Sequence, residues 1–225
     1  MSRVILVVEG ATEQAVIREV FGPVLAKQGT YVTAALIGRT GHKGGIRAFR
    51  KVADDIARLL KQESDTRVGT FFDYYALPSE WPGLEKAHGQ RGRQKAITVE
   101  AAMREAMTEF MGSDFRRERF IPYIQMHELE ALLFADTTRM AEVFEDPGLA
   151  SKFEVILVDF NHDCELINDQ PATAPSKRIA SLYPRYRKGK GLNAHAPLIL
   201  SRIGIERLCH ACAHFRDWWG LFPLG

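Results

Sequence analysis

The sequence predicts an α/β protein: a mostly parallel sheet flanked by helices, with a helical elaboration at its C-terminal end. Three observations predict it. Strand-like and helix-like segments alternate over the first 126 residues, the pattern of strand–helix–strand units around a parallel sheet. The first strand-like segment, Val4 to Val8, is an unbroken aliphatic run, which suits a strand buried on both faces of such a sheet. Three strand-like segments then end in acid, at Glu9, at Asp73 and at the Glu128/Glu130 pair. Carboxyl ends of strands are where open α/β sheets gather functional groups.

Each element follows from local chemistry. After Glu9-Gly10, Thr12 is placed to cap a helix, with Glu13 and Glu19 toward its positive end and Lys27 toward the other. Ala15, Val16, Val20, Phe21, Val24 and Leu25 recur at helical spacing, and Gln28-Gly29 ends the run. Tyr31 to Ile37 reads as a second strand. The loop Gly38 to Gly45 follows, and Ile46 to Leu60 then presents one apolar helical face. Arg67 to Phe72 is the third strand. An aromatic loop, Tyr74 to Gly83, leads to an amphipathic helix over about 94–111. Phe120 to Met126 is a fourth strand, weakened or placed at an edge by Pro122. In the remaining third, Leu149, Phe153, Ile156, Leu157 and Phe160 favour a helix over a strand. Pro175 marks a helix start, and Ala196 to Leu221 reads as two helices joined at Gly204. The expected division is an α/β core over 1–135 and a helical elaboration over 136–225.

Composition narrows the function classes. The chain has 225 residues, 46% hydrophobic and 26% charged, ordinary values for a globular protein with a sizeable core. A net charge of +2 gives no global basic field, so local patches must carry any case for nucleic acid. Three cysteines, no leader-like segment and no apolar run of membrane length predict a reducing, cytoplasmic setting and no membrane partner. Oligomeric state is left open.

The acids at successive strand ends suit a hard divalent cation, Mg²⁺ or Mn²⁺, through oxygen ligands. Arg39, Lys43 and Gly44 sit in a glycine-rich loop at a helix start and are candidates for phosphate contact; a plain flexible turn is the alternative. Arg91, Arg93 and Lys95 form either a solvated run or a nucleic-acid track. Lys177 and Arg178 oppose the helix dipole at their helix start, which favours a substrate or carboxylate partner. His127 reads as structural, and Glu13 as a first-turn dipole partner. Cys209-His210-Ala211-Cys212-Ala213-His214 has zinc-like spacing but no second pair nearby, and core packing is the preferred reading.

The stretch Val7-Val8-Glu9-Gly10-Ala11-Thr12-Glu13 resembles the first motif of Toprim domains, above all in the overcoming-lysogenization-defect (OLD) nucleases. Phe71 to Pro78, Gln125 to Phe134, Thr173 to Arg178 and Cys212 to Trp218 resemble the Toprim-related family named domain of unknown function 4276. The resemblance implies a Toprim, Rossmann-like fold. It also implies Mg²⁺-dependent making or breaking of phosphodiester bonds in DNA or RNA. Glu9 then matches the first acid, with Gly10 beside it at the phosphate, and Asp73 matches the first member of an Asp-x-Asp pair. Tyr75 stands where the second Asp belongs, so Glu130 or Glu128 is the expected replacement. Lys177, Lys188 or Lys190 is the candidate for a late lysine, with Arg178 and Lys188 as phosphate contacts. The OLD resemblance further implies an ATPase in an anti-phage assembly. No Gly-x-x-x-x-Gly-Lys-Ser/Thr loop occurs here, so that ATPase is expected on a separate subunit. The expected function is a Toprim-type nuclease. The alternative is a non-catalytic module of the same fold, and a third reading is a phosphohydrolase of small molecules.

Overall fold

The computed structural model describes residues 2–37, 46, 48–62, 64–167, 170, 172–186 and 195–222. Strand β1 (Ser2–Val8) leads through Glu9-Gly10 into helix α1 (Ala11–Val16), a π-helical turn (Ile17–Phe21) and helix α2 (Gly22–Lys27). Strand β2 (Thr30–Leu36), helix α3 (Phe49–Gln62) and strand β3 (Arg67–Asp73) follow. After a 3-10 turn (Tyr74–Ala76) come α4 (Leu84–Ala87) and the long α5 (Gly92–Met111). Two short strands, β4 (Phe120–Ile121) and β5 (Ile124–Gln125), precede a 3-10 segment (Leu129–Ala135). The rest is helical: α6 (Thr137–Val143), α7 (Gly148–Val158), a 3-10 turn (Cys164–Leu166), α8 (Pro175–Leu182), α9 (His195–Ile203), α10 (Ile205–Ala211) and α11 (Ala213–Trp219).

Five strands form one sheet of order β2-β1-β3-β4, with β5 also on β3, and every pairing is parallel. The expected α/β class is therefore met. The aliphatic run of β1 lies between β2 and β3, as its burial on both faces requires: Val4, Leu6 and Val8 face one core, Val7 the other. The first core joins the sheet to α1, α2 and the helices after residue 135, through Phe21, Phe71, Phe134, Ile199, Phe215 and Trp218. The second packs α3 and α5 on the opposite face, through Ile56, Val99, Met103, Phe72 and Ile124.

The edge strand is divided where the sequence carries Pro122. Proline has no N–H for the ladder, and pairing to β3 stops after Ile121 and resumes at Ile124. Thr70 fills the gap with its side chain. Its hydroxyl accepts from Tyr123 N (3.0 Å) and donates to Tyr123 O (3.1 Å). Tyr123 is fully buried and stacks on Trp218 (4.5 Å) and His214 (4.6 Å), which ties α11 to the strand break.

Several local expectations need correction. Gly10, not Thr12, is the residue before α1. Its backbone is extended, and its carbonyl accepts from Gln14 N (3.2 Å), which closes the first turn two residues earlier. The region after Gly204 holds two helices, α10 and α11, so 195–219 contains three in all. Cys212 breaks them with extended backbone (φ −121°, ψ 98°) while its thiol is buried against Cys164. The core-packing reading of Cys212 holds, on a helix break rather than on a continuous helical face. The loop expected over 74–83 is extended by the short helix α4.

Candidate carboxylate site at the sheet rim

Parallel pairing places Glu9 and Asp73 side by side. Val8 sits opposite Phe71, so the two acids leave adjacent strands at the same rim. Asp73 N donates to Glu9 Oε1 (3.0 Å). Asp73 Oδ1 in turn accepts from Leu129 N (2.8 Å), at the start of the 3-10 segment after β5. The register Asp73–Gln125 brings that segment to the rim. The flanking acids reach further into the helical part. Glu128 Oε2 accepts from Ser176 N (3.0 Å) in the first turn of α8, and Glu130 Oε1 accepts from Tyr186 Oη (2.9 Å).

These contacts form one linked set. The Tyr186 phenol is raised above its ordinary pKa, first by burial and then by the charges of Glu130, Glu128 and Asp73. One hydroxyl therefore lies within the electrostatic reach of three of the four acids. Asp73, Glu128 and Glu130 are 6%, 9% and 2% exposed, and carboxylates this buried require donors. Glu9 is half-buried at the same rim.

At Gly10 a side chain would meet the Glu13 carboxylate. A Cβ there would lie 2.7 Å from Glu13 Oε2. Glu13 is buried in the first turn of α1, as its dipole reading expects, with its carboxylate folded back toward Gly10. Ser176 and Tyr186 were missed as partners of the rim. Tyr75 stands in the 3-10 turn after Asp73, its N–H donating to His127 O (3.2 Å), and both Tyr74 and Tyr75 pack on the buried His127 ring.

The basic candidates divide. Lys177 is exposed in α8, next to the Ser176 amide that holds Glu128. Arg178 Nε donates to Thr173 O (2.9 Å), and its guanidinium lies 5.1 Å from the Phe160 ring centroid. Arg39, Lys43, Gly44, Lys188 and Lys190 lie outside the described residues. Lys95 Nζ sits 5.0 Å from the Tyr74 ring centroid, beside the rim.

The donor chemistry, carboxylate oxygens alone, suits Mg²⁺ or Mn²⁺. In the geometry described here each acid is tied to a protein donor. Among the described residues no three His, Cys, Asp or Glu side chains are grouped to hold one metal ion.

Fold and rim together define a parallel α/β protein with an acidic site at the carboxyl ends of its strands. The chain belongs to the DUF4276 family, described as "Domain of unknown function (DUF4276)", whose profile matches residues 8–221. That span contains all four rim acids. No curated protein matches the chain. Among solved structures it is similar to the C-terminal region of the Xanthomonas campestris pv. campestris OLD protein, at 17% identity and a TM-score of 0.39, over 98% of this chain and 95% of that one. Among the described residues no helix is long and apolar enough to cross a membrane.

Proposed function

We propose that this chain is a Mg²⁺-dependent nuclease of the Toprim type that hydrolyses phosphodiester bonds in DNA or RNA, as the effector beside a separate ATPase subunit. The observation that carries this reading is the linked carboxylate rim, Glu9–Asp73–Glu128/Glu130, on adjacent parallel strand ends. The resemblance of Val7 to Glu13 to the first Toprim motif supports it. In this reading Glu9 and Asp73, with Glu128 or Glu130, would turn from their protein donors to hold Mg²⁺ or Mn²⁺. When bound, the ion supplies Lewis-acid stabilisation of phosphate charge.

The chain's own groups have distinct parts. Glu9, at the open side of the rim, takes the proton of the attacking water as general base. The Asp73 amide fixes the orientation of the Glu9 carboxylate, and the Leu129 amide fixes that of Asp73. Lys177, exposed beside the Glu128 contact, neutralises substrate phosphate. Arg178 holds the Thr173 carbonyl and so positions the start of α8.

The test is hydrolysis of single- and double-stranded DNA and RNA by purified protein with Mg²⁺ or Mn²⁺, alone and with the ATPase partner. Activity that disappears in Glu9→Gln supports the proposal. Equal trace activity in wild type and Glu9→Gln marks contamination and sinks it.

A second reading, a binding module of this fold without catalysis, is favoured by Tyr75 in place of the second Asp. The protein donors already on each rim acid favour it as well. Calorimetry separates the two: folded protein that gives no heat with Mg²⁺ or Mn²⁺ is the module.

A further inference from the structure

We propose that Cys164 and Cys212 form a dithiol that hydroperoxides oxidise to an intramolecular disulfide, a modification site separate from the carboxylate rim. The three cysteines are free thiols. Cys164 Sγ and Cys212 Sγ are 2.6 Å apart and 48 residues apart in sequence. That separation is shorter than ordinary non-bonded contact and longer than a disulfide bond of about 2.05 Å. The two sulfurs come from different segments, the Cys164–Leu166 turn and the break between α10 and α11.

The surrounding backbone holds those segments together without the sulfurs. Glu165, next to Cys164, accepts from His214 N (3.1 Å) and Phe215 N (3.2 Å), just beyond Cys212. Bond formation therefore needs movement of two side chains, not of the chain. Cys164, 1% exposed, stands on the wall of a cavity of about 420 Å³ together with His162, His210, Arg207, Asp136 and Glu154. Cys212 is fully buried and does not line it, so approach to the pair is from the Cys164 side.

Burial opposes ionisation of both thiols. Contact with Cys212 favours the Cys164 thiolate, although burial and the charges of Glu165 and Asp163 leave its pKa above the ordinary thiol value. At Cys212 the same contact and burial both raise the pKa. Cys164, the member of the pair on the cavity wall, is assigned as the attacking sulfur and Cys212 as the resolving one. Because thiolate is scarce, oxidation is slow and calls for excess peroxide. The Cys164 thiolate attacks the peroxide O–O bond and becomes a sulfenic acid, releasing water from hydrogen peroxide or an alcohol from an organic hydroperoxide. The Cys212 thiol then attacks the Cys164 sulfur and displaces a second water. Two thiols are oxidised and one peroxide is reduced.

The test uses the full chain, reduced and desalted, then incubated with hydrogen peroxide, denatured, alkylated and mapped without reductant. The expected product has lost two hydrogen atoms, links the Cys164 and Cys212 peptides, and leaves Cys209 alkylated. Its thermal midpoint rises by about 5–10 °C and falls back with dithiothreitol. Cys209→Ser behaves as wild type, while Cys212→Ala stops at a Cys164 sulfenic acid that dimedone traps. Three alkylated cysteines after peroxide, a link that includes Cys209, or sulfinic acid without a link would each overturn the proposal. The wild-type map decides even if Cys212→Ala fails to fold.

Discussion

The molecule holds two acid clusters, and they solve burial differently. At the rim, Glu9, Asp73 and Glu128 each have one oxygen satisfied by a backbone N–H, and Glu130 by a phenol. Inside the protein, Glu100 and Glu165 close on one imidazole. His214 Nε2 lies 2.9 Å from Glu100 Oε1, and its Nδ1 lies 3.7 Å from Glu165 Oε1. Glu100 also accepts from Ile124 N (2.9 Å), and so pins α5 and α11 to β5. Backbone amides are fixed dipoles that orient a carboxylate without cancelling its charge. An imidazole can carry a countercharge and bridge two carboxylates. The rim acids are oriented at the strand ends, whereas the interior cluster joins three elements. The same residue type reads as chemistry in one place and as architecture in the other.

Four measurements can break or sharpen this contrast. The largest effect is expected at the rim. Glu9→Gln should lower nuclease turnover by roughly 100- to 10,000-fold with the circular dichroism spectrum unchanged. The same loss accompanied by unfolding would make the rim structural and erase the contrast.

Next comes the interior. His214→Ala leaves two buried carboxylates without their imidazole partner and should lower stability by about 3–5 kcal/mol, read by urea denaturation. A change under 1 kcal/mol would mean that the cluster is held by its amide contacts, as the rim is. Third, Thr70→Val removes the hydroxyl that bridges the Pro122 break. It should lower stability by about 1–3 kcal/mol, with the second core, α3 and α5, retained.

The smallest effect is in pH. Burial pulls the His214 pKa down, but the hydrogen bond to Glu100 and the charges of Glu100 and Glu165 outweigh it. The net value lies above the ordinary 6.5. Burial raises Glu165 above its ordinary 4.5. In both cases the folded protein binds protons more tightly than the unfolded chain, so stability falls as pH rises. The His214 contribution is full below 6.5 and is lost as pH climbs through the raised folded value. The thermal midpoint should therefore be higher at pH 6 than at pH 9, and His214→Gln should flatten that slope. An equal slope in the variant would place the pH dependence elsewhere.

The legible part of this protein was local. Aliphatic runs ending in Glu9 and Asp73 announced parallel strands and their functional ends, because a buried strand tolerates a charge only where it meets the rim. Pro122 announced a weakened edge strand, and helical spacing over Leu149 to Phe160 identified α7. Partners distant in sequence were not legible. His214 lies 114 residues from Glu100 and 49 from Glu165 in the contacts they make, and Tyr186 lies 56 from Glu130. No periodicity encodes such distances. The Cys209 to His214 stretch showed no second pair nearby in sequence, yet the fold brings the distant Cys164 into contact with Cys212. The Thr12 cap failed because the Gly10 carbonyl competed for the same turn.

The divided edge strand has one more consequence. Phe120 stands opposite Val68 and Gln125 opposite Asp73, so the residue offset is the same before and after Pro122. The interruption adds nothing and skips nothing; the chain keeps count across it. The three-residue spacing from Gln125 to Glu128 then sets where the rim acids emerge. Insertions between α5 and β4 would be absorbed by the connection. A single residue added between Ile121 and Ile124 would turn the side chains of β5 to the opposite face of the sheet. It would also carry Leu129 away from Asp73. The length of this short stretch, more than its composition, is what evolution or an engineer would find hardest to change.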